Sequence, residues 1–510
     1  MQGVLRVAAL VVALVMCASV IGARQTPAPA TAARPNVVLV MSDDLGYSDL
    51  SSYGATDIKT PNIDSIGKAG VRLTDFYANG VLCSPTRAGL MSGRYQQRYV
   101  IETALGGAGS RGLKVTGTSL PQTLKKHGYA TGLIGKWHLG GTPEVSPNAH
   151  GFEYFFGFLG GYIDYYHHVL GTQQDLWENG KKIQQEGYMT DLITDRSIAF
   201  IERSVAAKKP FFVDVAYNAP HWPYQPPGKP SPAPGSSRHQ LPQDENTSTR
   251  ADYVAMVEHL DKGVGKILAT LDRLGLASNT IVIFTNDNGG EWLSNNKPLQ
   301  SRKWTVWEGG IRVPAMIRWP GRIPAGKVSS QVGMTMDLSA SIVAATGAPL
   351  PAEARYEGIN LFSILEGRSP EVERTLYWRV TQQRTQRAIR SGDWKLVVDG
   401  SHVMVFNLKQ DIGERDDLTN SRQDIARRLR PMLAEWERQV DAEALINEPE
   451  AAAAAQQTSA RGRGAAGARG GAGAGGAGAG GAGAGGAAGA GRRGAGGAAG
   501  AGRGAPQEED

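Results

Sequence analysis

The sequence predicts an α/β fold in which helices cover both faces of a mostly parallel sheet, followed by a smaller antiparallel sheet. Patterns typical of helices and strands alternate over the first 350 or so of the 510 residues. The strand runs are continuously apolar, which is typical of strands buried on both faces. After Pro351 the pattern changes to short strands separated by turns.

The first predicted strand runs from Pro35 to Met41 and is followed by Ser42-Asp43-Asp44. Two carboxylates therefore stand at the carboxyl end of a strand, where open α/β sheets bind ligands. The elements predicted next, in chain order, are a helix at 119–127, a strand at 130–134, a helix at 191–203 and a strand at 210–217.

The clearest helix is predicted over 251–274. Its apolar residues recur at steps of three and four, which gives one apolar stripe. The strand predicted at 280–285 follows, and it ends in Asn286-Asp287-Asn288-Gly289-Gly290.

The last part of the chain is predicted to form a subdomain at 351–447, separate from a catalytic domain at 35–350. Its four strands and closing helix are predicted at 375–380, 386–391, 394–398, 403–407 and 421–440.

The two ends of the chain differ from its body. Residues 1–24 combine Arg6 with an apolar stretch and small residues near Ala23, which predicts a signal peptide and a secreted or periplasmic protein. Lipidation at Cys17 is the less favoured alternative, because Met16 is bulky for such a cleavage site. A linker is predicted at 25–34, and a disordered Gly/Ala/Arg-rich tail at 448–510.

The net charge of +6 is concentrated at the ends, since residues 1–24 carry +2 and residues 451–510 carry +3. The body is therefore nearly neutral, which argues against a nucleic-acid-binding surface. No apolar run is long enough for a transmembrane span.

Asp43, Asp44, Asp287 and Asn288 all follow predicted strands. Carboxylate and amide oxygens are ligands for Ca²⁺ or Mg²⁺, whereas zinc prefers histidine or cysteine. Asp and Asn are also common in turns, so either pair alone fits a structural role. Two such pairs at strand ends favour a metal site.

Cys83 is the one cysteine outside the leader, so it is either a core residue or a reactive group. Further polar candidates are Lys136 and His138, which would share one side of an extended segment, His221 between two prolines, and Lys303. Taken singly, each of these fits an ordinary loop or a solvated charge.

The ordered set of motifs resembles the type I sulfatases, the formylglycine-dependent arylsulfatase and N-acetylgalactosamine-6-sulfatase group of the alkaline phosphatase superfamily. The resemblance covers about residues 35–440. It rests on Asp43-Asp44, the run from Cys83 to Arg94 with its Cys-x-Pro-x-Arg, Gly135-Lys136-Trp137-His138, Pro220-His221, Asp287-Asn288, and Lys303 before Glu308-Gly309-Gly310.

The resemblance implies an alkaline-phosphatase-like fold and a role for each matching residue. Asp43, Asp44, Asp287 and Asn288 would bind one divalent cation, usually Ca²⁺. Cys83 would be oxidised to formylglycine by a formylglycine-generating enzyme and would add an oxygen ligand. The residues implied to line the sulfate pocket are Arg87, Lys136, His138, His221 and Lys303.

The implied reaction is hydrolysis of a sulfate monoester. One hydroxyl of the aldehyde hydrate attacks sulfur and gives a covalent sulfate ester, while His221 or Lys303 protonates the leaving alcohol. The second hydroxyl, deprotonated by His138, then expels sulfate and regenerates the aldehyde. A thiol has no second hydroxyl for this step.

The substrate is expected to be a sulfated saccharide or an aryl sulfate. Tyr162, Asp164 and His167 lie in an aromatic, polar segment that is either a sugar-binding rim or a packed loop. The alternatives in function are a phosphodiesterase or phosphonate monoester hydrolase of the same superfamily, and an inactive binding protein that uses its tail for interaction.

Overall fold

The computed structural model of the chain describes residues 34–230, 248–381 and 385–448. The predicted signal peptide, nearly all of the predicted linker and nearly all of the predicted tail lie outside these ranges.

The strands of the described residues are numbered in chain order: β1 (Asn36–Ser42), β2 (Val71–Leu73), β3 (Phe76–Tyr77), β4 (Ala130–Lys136), β5 (Tyr154–Phe158), β6 (Val169–Leu170), β7 (Gln173–Gln174), β8 (Trp177–Glu178), β9 (Lys181–Lys182), β10 (Phe211–Ala216), β11 (Thr280–Asn286), β12 (Ala315–Arg318), β13 (Lys327–Ser329), β14 (Gly333–Met334), β15 (Thr375–Val380), β16 (Gln386–Ser391), β17 (Trp394–Asp399) and β18 (His402–Asn407).

The α-helices of the same residues are α1 (Pro61–Lys68), α2 (Cys83–Ser92), α3 (Leu120–Lys126), α4 (Met189–Ala206), α5 (Arg250–Arg273), α6 (Glu308–Ile311), α7 (Thr335–Thr346), α8 (Leu361–Leu365) and α9 (Gln423–Asn447). Within the described ranges, none of these helices is both long enough and apolar enough to span a bilayer.

A ten-stranded sheet forms the centre of the fold, in the order β13-β2-β12-β11-β1-β10-β4-β5-β8-β9. The five strands from β11 to β5 are parallel to one another, and the antiparallel pairings lie toward the two edges. The prediction of a mostly parallel sheet is confirmed. Because the central strands are parallel, their carboxyl ends meet at one edge.

Strand β1 is apolar on both sides because both faces of the sheet are covered. Val38 and Val40 belong to a core shared with α1, α4 and α5. Val37 and Leu39 belong to the opposite core, which is shared with α2, α3, α7 and α8. The continuous apolar run therefore reflects burial on both faces of the sheet.

The C-terminal part forms the predicted antiparallel sheet, in the order β15-β16-β17-β18. Helix α9 packs on it through an apolar stripe that includes Leu429, Leu433 and Trp436. The same core contains Tyr77, Val306 and Ile311 from the larger part of the chain.

A buried ion network also joins the C-terminal sheet to the larger part of the chain. Lys395 on β17 is fully buried, and its Nζ lies 2.8 Å from Glu308 Oε1 and 2.7 Å from Glu414 Oε1. Arg312 and Tyr77 hold the other oxygen of Glu308 at 3.0 and 2.7 Å. Burial alone would raise the pKa of Glu308, but Lys395 and the neighbouring arginines lower it to about 2. Glu308 is thus held ionised in the core.

We expect Lys395→Met to lower the free energy of unfolding by about 3–5 kcal/mol, because it leaves two buried carboxylates without their shared cation. Urea denaturation of the full chain measures this change. Lys409→Met is the matched control, since Lys409 is mostly exposed and lies 4.0 Å from Asp393; its expected cost is below about 1 kcal/mol. Equal costs for the two variants would contradict the structural role of Lys395.

Candidate functional site

Four neighbouring parallel strands bring polar segments to the carboxyl edge of the large sheet. Strand β1 is followed by Asp43 and Asp44, and β11 by Asp287 and Asn288. Strand β4 ends at Lys136, and the loop after β10 carries His221. Segments from distant parts of the chain therefore meet where α/β sheets bind ligands.

The four oxygen-bearing side chains predicted as metal ligands are all buried, with exposed fractions of 0–3%. Asn288 Nδ2 donates to Asp44 Oδ1 at 2.7 Å. The ligand atoms of Asp43, Asp44, Cys83 and His221 lie within 4.8 Å of one another. The structure thus brings the predicted ligand segments into one cluster.

Cys83 is the first residue of α2, and its side chain is buried beside the carboxylates. Its Sγ donates to Asp43 Oδ1 at 3.5 Å. Burial raises the pKa of the Cys83 thiol well above its usual range, and the negative charge of Asp287 adds to this effect. An unmodified thiol at this position is therefore protonated and a poor nucleophile.

Each carboxylate of the cluster contacts a cation. Lys136 Nζ donates to Asp43 Oδ2 at 2.5 Å, and Lys303 Nζ donates to Asp44 Oδ2 at 2.7 Å. Arg87 Nη2 donates to Asp287 Oδ2 at 2.9 Å. All three cations are at least 95% buried. The site therefore combines cation ligands with donors for an anion.

Burial raises the pKa of Asp43 to about 8, and repulsion from Asp287 contributes. Burial would raise the pKa of Asp44 as well, but Lys303 and His221 hold it below its usual range. Adjacent carboxylates thus differ in proton affinity because they face different partners. A bound cation would favour the ionised form of both.

His138 follows β4, but it does not share an extended segment with Lys136. The strand ends at Lys136, and His138 has a φ of 55°, so the predicted extended geometry is wrong. The His138 Nε2 lies 2.8 Å from the carbonyl oxygen of Leu105, and this contact places the proton on Nε2. Nδ1 then carries a lone pair, and it is buried without a hydrogen-bond partner among the described residues.

His221 is fixed in the opposite tautomer. Its Nδ1 lies 2.5 Å from the carbonyl oxygen of Trp222, so Nδ1 carries the proton and Nε2 the lone pair. Lys303 Nζ lies 3.4 Å from His221 Nε2. Burial lowers the pKa of His221 to about 3. The proton available at this side of the site therefore belongs to Lys303.

Two oxygens of the predicted metal ligands have no partner in the part of the chain that is described. Asp287 Oδ1 and Asn288 Oδ1 are buried and make no hydrogen bond within the described residues. Unpaired buried oxygens are costly unless a cation or water satisfies them. Three carboxylates with one amide oxygen form a hard donor set, so these residues fit Ca²⁺ or Mg²⁺.

The backbone is strained at three points around the cluster. Asp44, His138 and Trp304, which follows Lys303, all have positive φ values, of 62°, 55° and 79°. Residues other than glycine occupy this region at a cost and are concentrated at functional sites. Two of these strained residues, Asp44 and His138, are themselves predicted site residues, and the third, Trp304, directly follows Lys303.

The predicted rim residues take two different environments. The ring of Tyr162 lies 4.3 Å from the Trp222 ring and is nearly parallel to the His221 ring, 6.4 Å away. Asp164 instead accepts hydrogen bonds from Gln225 and from the backbone of His167, at 2.8 and 2.7 Å. Tyr162 thus flanks the cluster, whereas Asp164 organises its own loop.

Sequence reasoning missed two residues of the site. Asn286 holds the turn after β1, because its Oδ1 accepts from Ser42 and from the backbone of Leu45 at 2.8 and 3.2 Å. Glu291 Oε2 lies 3.6 Å from Lys303 Nζ, and its Oε1 accepts from Trp304 Nε1 at 2.7 Å. Both residues flank the Asp287-Asn288-Gly289-Gly290 run, and this position in the sequence is the signal that could have identified them.

Buried carboxylates, amide oxygens and cationic side chains meet at the carboxyl edge of the α/β sheet, an arrangement suited to binding a cation together with an anionic ester. Comparisons with known proteins specify the ester. The sequence model of the family described as Sulfatase matches residues 35–348. A second model, described as N-sulphoglucosamine sulphohydrolase, C-terminal, matches residues 301–439.

Relatives and solved structures agree with the family match. The chain is 34% identical to N-acetylgalactosamine-6-sulfatase of Canis lupus familiaris, over 75% of this chain and 74% of that protein. It is 31% identical to Arylsulfatase A of Bos taurus, over 72% and 75% of the two chains. The crystal structure of Ps i-CgsB in complex with k-i-k-neocarrahexaose is similar at a TM-score of 0.72 and 32% identity, over 80% and 93%.

The chain therefore belongs to the sulfatase family and is a sulfuric ester hydrolase. The predicted family and fold class are confirmed.

Proposed function

We propose that this enzyme hydrolyses sulfate monoesters with a formylglycine made from Cys83, assisted by one bound Ca²⁺ ion. The observation that carries the proposal is that Cys83, the four proposed ligand side chains and the cationic residues are buried and in contact with one another. Maturation then requires a formylglycine-generating enzyme as a partner.

On this proposal Asp43, Asp44, Asp287 and Asn288 hold the cation. When bound, the cation supplies positive charge that favours ionisation of the nucleophile and neutralises substrate charge. The unpaired oxygens of Asp287 and Asn288 support this assignment.

The hydrate of formylglycine would supply the nucleophile and form a covalent sulfate ester, as the family resemblance implies. The position of Cys83, buried beside Asp43, supports its role. The raised pKa of the thiol makes direct attack by an unmodified cysteine unfavourable.

His138 is the proposed base for release of sulfate. Its Nε2 is held by the carbonyl of Leu105, so the Nδ1 lone pair is free to accept a proton from the second hydroxyl. Arg87 and Lys136 are the proposed donors to the sulfate oxygens, where negative charge develops in the transition state.

Lys303 is the proposed proton donor to the leaving alcohol, and His221 orients it. The neutral His221 accepts from Lys303 and cannot itself donate from Nε2 in this tautomer. We expect Lys303→Ala to lower kcat/KM for an alkyl sulfate by about 10²–10⁴-fold. The loss for 4-nitrophenyl sulfate, whose leaving group needs little protonation, should be much smaller.

Lys136→Ala is the matched control for this leaving-group test. It removes a buried ammonium from the same cluster, but one assigned to the sulfate oxygens. Its loss of kcat/KM should therefore be the same for alkyl and aryl sulfates. Equal leaving-group dependence in the two variants would contradict the assignment of Lys303 as proton donor.

The rival function is that of a phosphodiesterase or phosphonate monoester hydrolase. Turnover of 4-nitrophenyl sulfate, compared with that of the corresponding phosphate diester and phosphonate, distinguishes it from the proposed sulfatase. The proposal expects the sulfate to be the best substrate by kcat/KM. A strong preference for the phosphonate would overturn it. An inactive binding protein would turn over none of the three.

We further propose a sulfated saccharide as the natural substrate, with Tyr162, Asp164 and His167 in the loop that borders the site. The names of the relatives and the oligosaccharide complex of Ps i-CgsB support this class. We retain the sequence-based proposals of a signal peptide, of export, and of a catalytic domain at 35–350 with a subdomain at 351–447.

A further inference from the structure

Trp292 and Arg302 form a stacked pair at the border of the candidate site. The Arg302 guanidinium carbon lies 3.8 Å above the centre of the Trp292 ring. Trp292 follows Glu291, and Arg302 precedes Lys303, whose ammonium group lies 3.6 Å from the Glu291 carboxylate. Each member of the pair is therefore the chain neighbour of a residue of the site, with about 3.8 Å between the two α-carbons.

Trp292 is unusually exposed for its size. Its side chain is 39% exposed, and it is the one aromatic residue among the large exposed apolar side chains of the described ranges. Tryptophan is enriched at binding interfaces, because its large ring offers contact area and its N–H can bond a polar partner. An indole face is also a suitable platform for a sugar ring, since it is flat and apolar.

Arg302 stacks on a tryptophan ring but forms no ion pair with a carboxylate of the described residues. Within the described residues, four arginines stack on tryptophan rings, and three of them also form an ion pair: Arg322 with Glu366, Arg379 with Glu102 and Asp441, and Arg422 with Asp424. The described part of the chain offers Arg302 no carboxylate within 4 Å. The indole therefore holds the planar guanidinium group of Arg302, and the N–H donors of this group remain available to an external anion.

We propose that Trp292 and Arg302 form a subsite that binds a second anionic group, sulfate or carboxylate, on the saccharide that carries the scissile sulfate. This inference rests on the proposed function. The Arg302 fork would accept two anion oxygens side by side, and the exposed indole would contact the sugar. The enzyme would then prefer saccharides with a second charge over simple sulfate esters.

The test measures competition against 4-nitrophenyl sulfate turnover by the mature full chain. Three probes are compared: N-acetylgalactosamine 6-sulfate, which has one anionic group, an ι-carrageenan tetrasaccharide, which has further sulfates, and a chondroitin 6-sulfate disaccharide, which adds a carboxylate. A probe that is hydrolysed competes as a substrate and is read in the same way.

We expect at least one multiply charged probe to compete about 10- to 100-fold more tightly than the singly charged one, the range for a charge-assisted hydrogen-bonded contact. An advantage for the ι-carrageenan tetrasaccharide identifies the second group as sulfate. An advantage for the chondroitin 6-sulfate disaccharide identifies it as carboxylate. Arg302→Gln and Trp292→Ala should each remove most of the advantage and leave kcat/KM for 4-nitrophenyl sulfate within about twofold, because the small ester does not reach the pair.

Arg322→Gln is the matched control, since Arg322 also stacks on a tryptophan, Trp319, at 4.7 Å but is paired with Glu366. Arg322→Gln should change neither the advantage of the multiply charged probes nor kcat/KM for 4-nitrophenyl sulfate. The subsite is refuted if the wild type shows no advantage for either charged probe, or if Arg302→Gln retains it. Failure of the proposed function looks different, because the mature wild type would then turn over 4-nitrophenyl sulfate either not at all or much less well than the phosphonate.

Discussion

Replacing Cys83 with alanine is expected to lower kcat/KM for 4-nitrophenyl sulfate by about 10⁴-fold or more, since loss of a covalent nucleophile costs on the order of 10⁶ in a serine hydrolase. The alanine cannot be converted to an aldehyde, so neither hydroxyl of the hydrate is available. Initial rates measured with the full chain, produced with a formylglycine-generating enzyme, test this expectation.

Cys83→Ser separates the nucleophile from the aldehyde. A serine that stays unmodified offers one hydroxyl, so it has no second hydroxyl with which to expel sulfate, and its turnover should be as low as that of Cys83→Ala. Thermal unfolding serves as the folding control, because either substitution changes few atoms of a small buried side chain. Near-normal turnover in Cys83→Ala would contradict the mechanism.

Loss of the divalent cation is expected to have the second largest effect. Ca²⁺ at about one hundred times its dissociation constant should stabilise the folded enzyme by about 2.7 kcal/mol. Asp287→Asn should abolish this stabilisation, because it removes a ligand charge next to the unpaired oxygen of Asp287. Thermal unfolding with and without Ca²⁺ measures the response independently of activity, and chelation of the wild type should abolish turnover.

Asp214→Asn is the matched control for Asp287→Asn. Asp214 is also a buried carboxylate with an unpaired oxygen, but it lies within β10, and burial raises its pKa to about 7. Its variant should keep the response to Ca²⁺. A Ca²⁺ response that survives in Asp287→Asn, or full activity of the chelated wild type, would contradict the cation site.

Much of the fold follows from local sequence patterns. Strand β1 and helix α5 were predicted within one residue of their observed bounds, because an apolar run and an apolar stripe each identify a buried element. Strands β15 and β16 coincide with their predictions. The ligand segments were also predictable, because they follow these strands directly.

The contacts within the site were not predictable in the same way. That Cys83 opens a helix, that Lys136 faces Asp43, and that His138 and His221 carry their protons on opposite nitrogens depend on residues far apart in the chain. The short strands β2 and β12, which lie near one edge of the large sheet, were missed. Helix α9 continues to Asn447, past the predicted end at 440.

The role of the C-terminal sheet also required the structure. Lys395 lies in an ordinary strand pattern, yet its ammonium group contacts Glu308, which begins helix α6 shortly after Lys303. The smaller sheet therefore anchors the segment that carries the proposed proton donor. No local pattern could reveal this contact, because Glu308 lies in helix α6 and Lys395 in strand β17, which are far apart in sequence and meet only in the folded chain.

The mass of the tryptic peptide covering residues 73–87 tests the central claim most directly, because it contains Cys83. In a preparation active on 4-nitrophenyl sulfate, the account predicts a peptide that has lost one sulfur and two hydrogen atoms and gained one oxygen, and that reacts with a hydrazine reagent. The converted fraction should rise in proportion to specific activity. A fully active preparation in which the peptide carries only an alkylatable thiol would contradict the account.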